Sequence, residues 1–347
     1  MKDMSQVPPA VIMADGSAAV TASCKEILPL SKRLMCWYHA SKKIQDRLKG
    51  IKNIDATVST QIYSDIQTLQ AGAYDEKSFF LLAALMKRKW LEEKIYIDET
   101  LKLRVTEFFL YFNNTWLNSD INKWYEAANP MMLSTNNSLE AHNNVLKRDY
   151  TGRKRLSMPD LVNKLKEMIE NWSKNPVEEK EREPSLPIRK QAEELLKDLE
   201  SFILFRAAKS NDRAVVKRDI GVVRGTLKYV GICPRIDYQL TSRENFANDG
   251  KAIIARRQSL DYDGFDDFKA DLKKVAVMEV VKLESGVLAF FCNCYNFKSV
   301  SGCKGGICVH VCAKLIQKGI IPKLPVPRQM SSTVAKKRMP KNMKQTY

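Results

Sequence analysis

The sequence predicts an α/β plus α fold class, with a small ββα module near its C-terminal end. A short apolar run, Ala10 to Ala14, precedes a helical pattern and suits a buried strand of a parallel or mixed sheet. Apolar residues then recur at helical spacing between residues 59 and 117. Residues 275–291 contain a β-branched segment, a Glu-Ser-Gly turn at 284–286 and an apolar return segment, which predicts a hairpin.

The first predicted strand ends at Asp15, and a helix is expected from there to about Ile27. A second apolar segment at residues 33–39 and a helix from about Ala40 give the order strand, helix, strand, helix. Functional acids of α/β folds often follow the carboxyl ends of strands. Aspartate is also a preferred helix N-cap residue. Spacing alone therefore leaves two interpretations of Asp15, a catalytic acid and a helix cap.

A third stretch predicts a helix that begins after Ser134 or Thr135 and continues through Glu140 to about Lys147. Its polar residues fall at helical spacing, and a solvated helix face accounts for them: Asn137, Glu140, Asn144 and Lys147. A basic cluster follows, consisting of Lys147, Arg148, Arg153, Lys154 and Arg155. Such a cluster fits contacts with a phosphate backbone, and it equally fits an ordinary basic loop.

Four of the eight cysteines and one of the three histidines lie between Cys292 and His310. The first seventeen residues lack the pattern of a secretory signal, and no apolar run is long enough to span a bilayer. We therefore expect an intracellular chain without membrane association. In a reducing compartment, clustered cysteine and histidine more often bind a metal than form disulfides.

The ligands of the expected metal are two spaced pairs, Cys292 with Cys294 and Cys308 with His310. Residues two apart on a strand point to the same side, so the first pair can share one ion. Residues two apart on a helix do not, so we expect the second pair where a loop enters a helix that ends at Gly319. Three thiolates and one imidazole form a closed set that is typical of structural Zn²⁺. Burial of the cysteines as small apolar side chains is the alternative, and it leaves His310 unexplained.

Two other cysteines lie near this site. Cys312 is expected to belong to the core, on the helix that follows His310. Cys303 lies in the connecting loop and is the better candidate to replace one of the four ligands.

The formal charge of +17 indicates a polyanionic partner, with nucleic acid first and an anionic membrane surface second. A solvated basic surface is the alternative. From Lys323 onward the chain has seven basic residues and no acid, so we expect a disordered tail. Within it, residues 335–344 fit a nuclear import signal or a DNA-binding arm.

Taken together, these segments resemble the C-terminal part of Mutator-like element (MULE) transposases, followed by a SWIM-type zinc finger. The stretch VIMADGSAAVTASCKEILP resembles the family's strand with its second catalytic Asp. The stretch CWYH, with Cys36 and His39, resembles its Cys-x-x-His motif, and TNNSLEAHNNVLK resembles the helix with its catalytic Glu. The Cys-x-Cys and Cys-x-His pairs resemble the SWIM pattern. The resemblance extends from about Pro9 to Gly319.

The resemblance implies an RNase-H-like core whose Asp-Asp-Glu triad holds two Mg²⁺ or Mn²⁺ ions for phosphoryl transfer. Asp15 matches the second acid and Glu140 the third, with a helical insertion between them. Only Asp3 precedes Asp15, and the first three strands of that core have no counterpart. We therefore expect a catalytically incomplete, nuclear, DNA-binding protein that carries structural Zn²⁺ and binds Mg²⁺ or Mn²⁺ weakly at most. The alternatives are a module that binds a protein partner through the finger and a complete transposase truncated in this sequence.

The expected organisation begins with a partial RNase-H-like core at 1–44, a helical insertion at 45–130, and the Glu140 helix with a following helix at 131–172. After it come a linker at 173–187, a connector at 188–274, the SWIM-type finger at 275–321 and the basic tail at 322–347. Within the connector we expect a long helix at 188–209 and short strands at 219–232 and 235–242.

Overall fold

The computed structural model shows an α-rich α/β structure. It describes residues 9, 11–51, 54–93, 96, 98–128, 134–135, 137–174, 184–197, 203–206, 225–234, 243–283, 288–292, 308–317, 319 and 322. Within these residues, no helix has both the length and the apolar character that crossing a membrane requires.

Two parallel strands joined by a helix form the N-terminal region. Its elements are β1 (Val11–Ala14), α1 (Ala18–Ile27), β2 (Lys32–Met35) and α2 (Trp37–Lys49). The Cys36 N–H donates to the Ala14 carbonyl oxygen (2.9 Å), so the pairing continues one residue past the strands. The predicted order of strands and helices is confirmed. Helix α2 begins at Trp37, three residues before the expected start, because the chain turns directly into the helix after its N-cap, Cys36.

The helical region predicted for residues 59–117 is confirmed. It contains α3 (Ala56–Gly72), α4 (Glu76–Arg88), a π-helical turn (Lys89–Glu93), α5 (Glu99–Phe112) and a second π-helical turn (Asn113–Leu117). An aspartate caps each α-helix by accepting backbone N–H groups: Asp55, Asp75 and Asp98. Aromatic rings fill the core between the helices, with the Phe79 ring stacked on Tyr125 and its edge against Trp124.

A segment from the C-terminal half packs onto this helical region. Its elements are α9 (Arg243–Ser259) and α10 (Phe265–Lys274). Phe265 and Phe268 are buried in the same core as the aromatic rings of α4 and α5. The approach is close at Gly72, where an added Cβ would lie 2.7 Å from Leu272 Cδ1 and from Phe268 Cζ. The end of the expected connector is therefore part of the helical core.

An antiparallel sheet has the order β3-β4-β5-β6. The strands are β3 (Ile203–Arg206), β4 (Gly225–Pro234), β5 (Val275–Leu283) and β6 (Leu288–Cys292). The pairing of β5 with β6 confirms the predicted hairpin, and β4 confirms one of the two expected short strands. The other short strand, at 235–242, and the turn at 284–286 lie outside the described residues.

The long helix expected at 188–209 is wrong in its second half. Helix α8 (Leu186–Lys197) ends early, and Ile203–Arg206 is strand β3. The register pairs Ile203 with Ile232 of β4. The apolar Ile-Leu-Phe run takes the extended form because a neighbouring strand satisfies its backbone groups.

The last helix, α11 (Val309–Gln317), packs against α8. The shared core consists of Ala192, Leu196, Val309, Cys312, Ala313 and Ile316. The expected core position of Cys312 is therefore confirmed. Gly319 has a positive φ of 71°, and its N–H donates to the Ile316 carbonyl oxygen (2.9 Å), as expected at the end of a helix.

The predicted Glu140 helix is α6 (Asn137–Val145), which continues as a π-helical turn (Leu146–Tyr150). Helix α7 (Met158–Lys174) follows it after a short basic loop.

Candidate functional site

The C-terminal elements bring three of the four predicted zinc ligands together. Cys292 is the last residue of β6, Cys308 directly precedes α11, and His310 lies in the first turn of α11. The three side chains are buried, and their ligand atoms all lie within 4.8 Å of one another. The expected entry from a loop into a helix at Cys308 and His310 is confirmed. Cys294 and Cys303 lie outside the described residues.

The distances within this cluster fit a single metal ion. His310 Nδ1 lies 3.7 Å from Cys292 Sγ. Two such ligands on a tetrahedral zinc, with bonds near 2.3 and 2.0 Å, would be separated by about 3.5 Å. Thiolate sulfur and imidazole nitrogen are ligands that zinc prefers. Cys292, Cys308 and His310 can therefore hold a metal ion.

Hydrogen bonds at the start of α11 also fit such a site. The Val311 N–H donates to Cys308 Sγ (3.4 Å), which is a favourable contact for a negatively charged thiolate at a helix N-terminus. His310 Nε2 is buried and has no hydrogen-bond partner within the described part of the chain. With Nδ1 facing Cys292 Sγ as the ligand atom, Nε2 keeps its proton, so its burial is a separate cost that a metal at Nδ1 does not remove.

Cys312 lies one turn further along α11 and faces the core shared with α8. Burial raises the pKa of its thiol to about 11, so the side chain remains a neutral thiol at physiological pH. Cys312 therefore packs as a small apolar residue of the core, whereas Cys292, Cys308 and His310 are the candidate metal ligands.

The second predicted site begins at Asp15, directly after β1. Its Oδ1 accepts the Ser17 N–H (3.0 Å), and Ser17 is the residue that caps α1. The interpretation of Asp15 as the N-cap is therefore wrong, because the N-cap lies two residues later and the helix begins at Ala18. The carboxylate instead fixes the turn between β1 and α1.

Arg33 of β2 supports this turn, a role that the sequence analysis missed. Its guanidinium donates to the carbonyl oxygens of Ala14 (3.2 Å) and Asp15. Burial lowers the pKa of Arg33, although the side chain stays charged at physiological pH. In the sequence, this role was indicated only by the position of Arg33, a cation, in a short apolar segment.

Glu140 contacts the histidine of the CWYH stretch. His39 Nε2 lies 3.4 Å from Glu140 Oε1, while Cys36 is fully buried. The Trp37 N–H donates to the Ser134 carbonyl oxygen (2.8 Å), which holds the segment before α6 against the start of α2. Since β1 and β2 are parallel, this contact lies at the edge of the sheet where Asp15 also lies. The close approach of Asp15 to Glu140 stays a prediction.

The five residues of the basic cluster are exposed: Lys147, Arg148, Arg153, Lys154 and Arg155. Gly152 and Arg153 have positive φ angles of 54° and 60°, so the chain folds back. The Arg153 N–H donates to the Lys147 carbonyl oxygen (2.6 Å). Arg148 forms a bidentate pair with Asp149 and lowers the pKa of that carboxyl group. Four cations of the cluster form no ion pair with any described residue.

No protein-family model, curated protein or solved structure matches the chain. The likeness to MULE transposases and SWIM fingers therefore depends on the quoted residues.

Proposed function

We propose that this chain is a zinc-binding, transposase-derived protein of the MULE type with a SWIM zinc finger, which binds DNA in the nucleus without cutting it. The convergence of Cys292, Cys308 and His310 is the observation that supports this proposal most strongly. It brings together residues from the end of a strand and the start of a helix, as the spacing of the two ligand pairs requires. The transposase origin is proposed from the likeness of the quoted stretches to that family.

The zinc is structural, with Cys294 as the fourth ligand. Three thiolates and one imidazole leave no open position for a reacting molecule. The site joins β6 to α11, and α11 in turn packs on α8. Metal binding at such a site contributes directly to folding, on the order of 10 kcal/mol in small zinc modules.

Elemental analysis of the purified full chain tests the zinc site. We expect one zinc per chain, and a loss of zinc in a Cys308→Ser/His310→Ala variant. Cys24→Ser is the matched control, because this free cysteine lies on α1, outside the site. Zinc that is retained in the double variant contradicts the proposal.

The DNA surface includes the basic cluster, whose exposed side chains can approach phosphates. The chain's charge of +17 and the tail from Lys323, which lies outside the described residues, add to it. Binding of this kind is mainly electrostatic and tolerant of sequence, and it weakens steeply with salt. Each phosphate contact changes the slope of log K against log salt concentration by about −0.9 on duplex DNA.

An Arg153→Gln/Lys154→Gln/Arg155→Gln variant tests this surface by fluorescence anisotropy over a salt series. We expect its slope to be less steep by about 2–3. The control removes three exposed lysines elsewhere, Lys42→Gln/Lys49→Gln/Lys77→Gln, so that the net charge falls equally. Equal slopes in the two variants exclude the basic cluster as the contact surface. A wild-type chain that shows no DNA binding favours a protein partner for the finger.

The expectation of binding without cleavage comes from a catalytic triad that the likeness matches only in part. Asp15 accepts a backbone N–H, and Glu140 lies against the His39 imidazole. The likeness matches two acids of a triad, and the two-metal mechanism needs ligands for both ions. Two carboxylates suffice for weak Mg²⁺ or Mn²⁺ binding when waters complete the coordination.

A further inference from the structure

Helix α7 carries an apolar stripe that stays open to solvent. At 100° per residue, its members fall within an arc of about 120° on the helix surface. They are Met158, Leu161, Val162, Leu165, Met168 and Ile169. Their spacing of three and four residues, from 158 through 161 and 165 to 168, is the pattern of helices that pair with another helix.

The exposure of this stripe is unusual for an amphipathic helix. Met158, Val162 and Ile169 are 73, 56 and 59% exposed, and the other three members, Leu161, Leu165 and Met168, are partly buried. None of the α7 side chains that the structure describes is buried. By contrast, α3, α4 and α5 each bury several apolar residues in the core. A stripe of this size on a soluble chain indicates an interaction surface.

We propose that α7 pairs with α7 of a second copy of this chain, in an antiparallel arrangement. This inference goes beyond zinc and DNA binding and does not depend on either. The area available supports a second copy. Each of the three exposed members removes roughly 60–120 Å² of apolar surface when buried, and each partly buried member removes less, so two copies of the stripe remove on the order of 400–1,000 Å². That range corresponds to a small, weak interface, so we expect dissociation in the micromolar range.

Charge also favours self-pairing at this helix. The chain as a whole has a charge of +17, which repels a second copy. Helix α7 is balanced, with three acids and three lysines: Asp160, Glu167, Glu170, Lys164, Lys166 and Lys174. Two α7 helices can therefore approach without net repulsion. The remaining basic surface fits polyanions better than it fits another copy.

The antiparallel direction follows from the basic cluster, which directly precedes α7. A parallel pair would place two such clusters side by side. An antiparallel pair separates them by about the helix length, roughly 25 Å for 17 residues, well beyond the Debye length at physiological salt. It also places the opposite ends of the two helix dipoles together.

Analytical ultracentrifugation of the zinc-loaded full chain, from about 1 to 100 µM, tests the pairing. We expect a reversible rise toward twice the chain mass of 39.7 kDa. Leu165→Glu should abolish the dimer, since it places a charge in the centre of the stripe. The matched control is Asn163→Glu, which adds the same side chain on the opposite, exposed face and should leave the dimer intact.

A wild-type monomer throughout, or a dimer that survives Leu165→Glu, overturns the proposal. If Leu165→Glu does not fold, Met158→Lys is measured instead and should weaken the dimer. The Met158 side chain is 73% exposed, so this change does not affect the core. A photo-crosslinker at position 158 tests the direction. Antiparallel pairing yields cross-links to peptides near residue 169, whereas cross-links to residue 158 of the other copy contradict it.

Discussion

His39 Nε2 lies 3.4 Å from Glu140 Oε1, although 101 residues (39 to 140) separate them in the chain. The contact joins the first turn of α2 to α6 at the end of a parallel strand pair. It brings together two of the stretches that resemble MULE transposases, CWYH and TNNSLEAHNNVLK. The Glu140 carboxylate can pair with the His39 imidazole, and a metal cation that binds the same carboxylate would have to compete with this contact.

The first prediction is that the chain does not nick DNA. Removing one electrostatic contact to the transition state typically lowers the rate about 100-fold or more. Under the proposed function, the second metal ion would lack one of its ligands and so lose such a contact. We expect supercoiled plasmid to remain intact with Mg²⁺ or Mn²⁺. Nicking that disappears in a Glu140→Gln variant would show that the catalytic site is complete. A Glu107→Gln variant, at an exposed acid of α5, controls for contaminating nuclease.

The second prediction concerns Asp65, a buried carboxylate that ties α10 to the helical core. It accepts hydrogen bonds from Lys89 (2.9 Å), from the Trp90 indole N–H (3.0 Å) and from Lys269. Asp65→Ala removes the acceptor of the buried Trp90 indole N–H and a partner of two partly buried lysines, Lys89 and Lys269. We expect a loss of about 3–5 kcal/mol in the free energy of unfolding.

Asp266 provides a matched control for Asp65. It also pairs with Lys89 (2.6 Å), but its side chain is 68% exposed. Asp266→Ala should therefore cost less than about 1 kcal/mol. Chemical denaturation of both variants measures the difference, and equal losses would contradict the role of burial.

The third prediction is a loss of stability in alkali that depends on Tyr262. Burial, helped by the nearby Asp271 carboxylate, raises the pKa of this phenol to about 12. The folded state then holds the phenolic proton more tightly than the unfolded state, whose tyrosine titrates near pH 10. This stabilising contribution is complete below pH 10 and is lost as the pH rises toward 12.

Chemical denaturation at pH 9 and pH 11 measures this effect. Tyr262→Phe should lose about 1 kcal/mol less than the wild type between these values. Tyr38→Phe, at an exposed tyrosine, should behave like the wild type. An identical pH dependence in the wild type and in Tyr262→Phe would show that Tyr262 does not contribute.

Local patterns in the sequence were sufficient for most helices and for the hairpin. Apolar spacing predicted α3 to α5, and the two ligand pairs placed Cys308 and His310 at a helix entry. The Ile203–Arg206 strand was missed because its extended form depends on pairing with β4, about 25 residues later. The bond between Asp65 and Lys269 spans 204 residues, and no local pattern predicts such a contact.

The candidate sites also differ in whether local spacing or tertiary packing determines them. Spacing alone predicted the zinc ligands because strand and helix geometry determine which side chains share a face. The contact between His39 and Glu140 depends on how α6 packs beside α2, so residue spacing did not predict it. The exposure of the α7 stripe also required a structure, since its pattern alone fits a buried helix equally well.

X-ray absorption at the zinc edge, on the purified full chain, tests the central claim most directly. We predict one zinc per chain with three sulfur ligands near 2.3 Å and one nitrogen ligand near 2.0 Å. Cys308→Ser should lower the sulfur count or the zinc content, whereas Cys312→Ala should change neither, because Cys312 lies in the core shared by α8 and α11. A zinc bound mainly by oxygen and nitrogen, or a pure folded chain without zinc, would contradict the account.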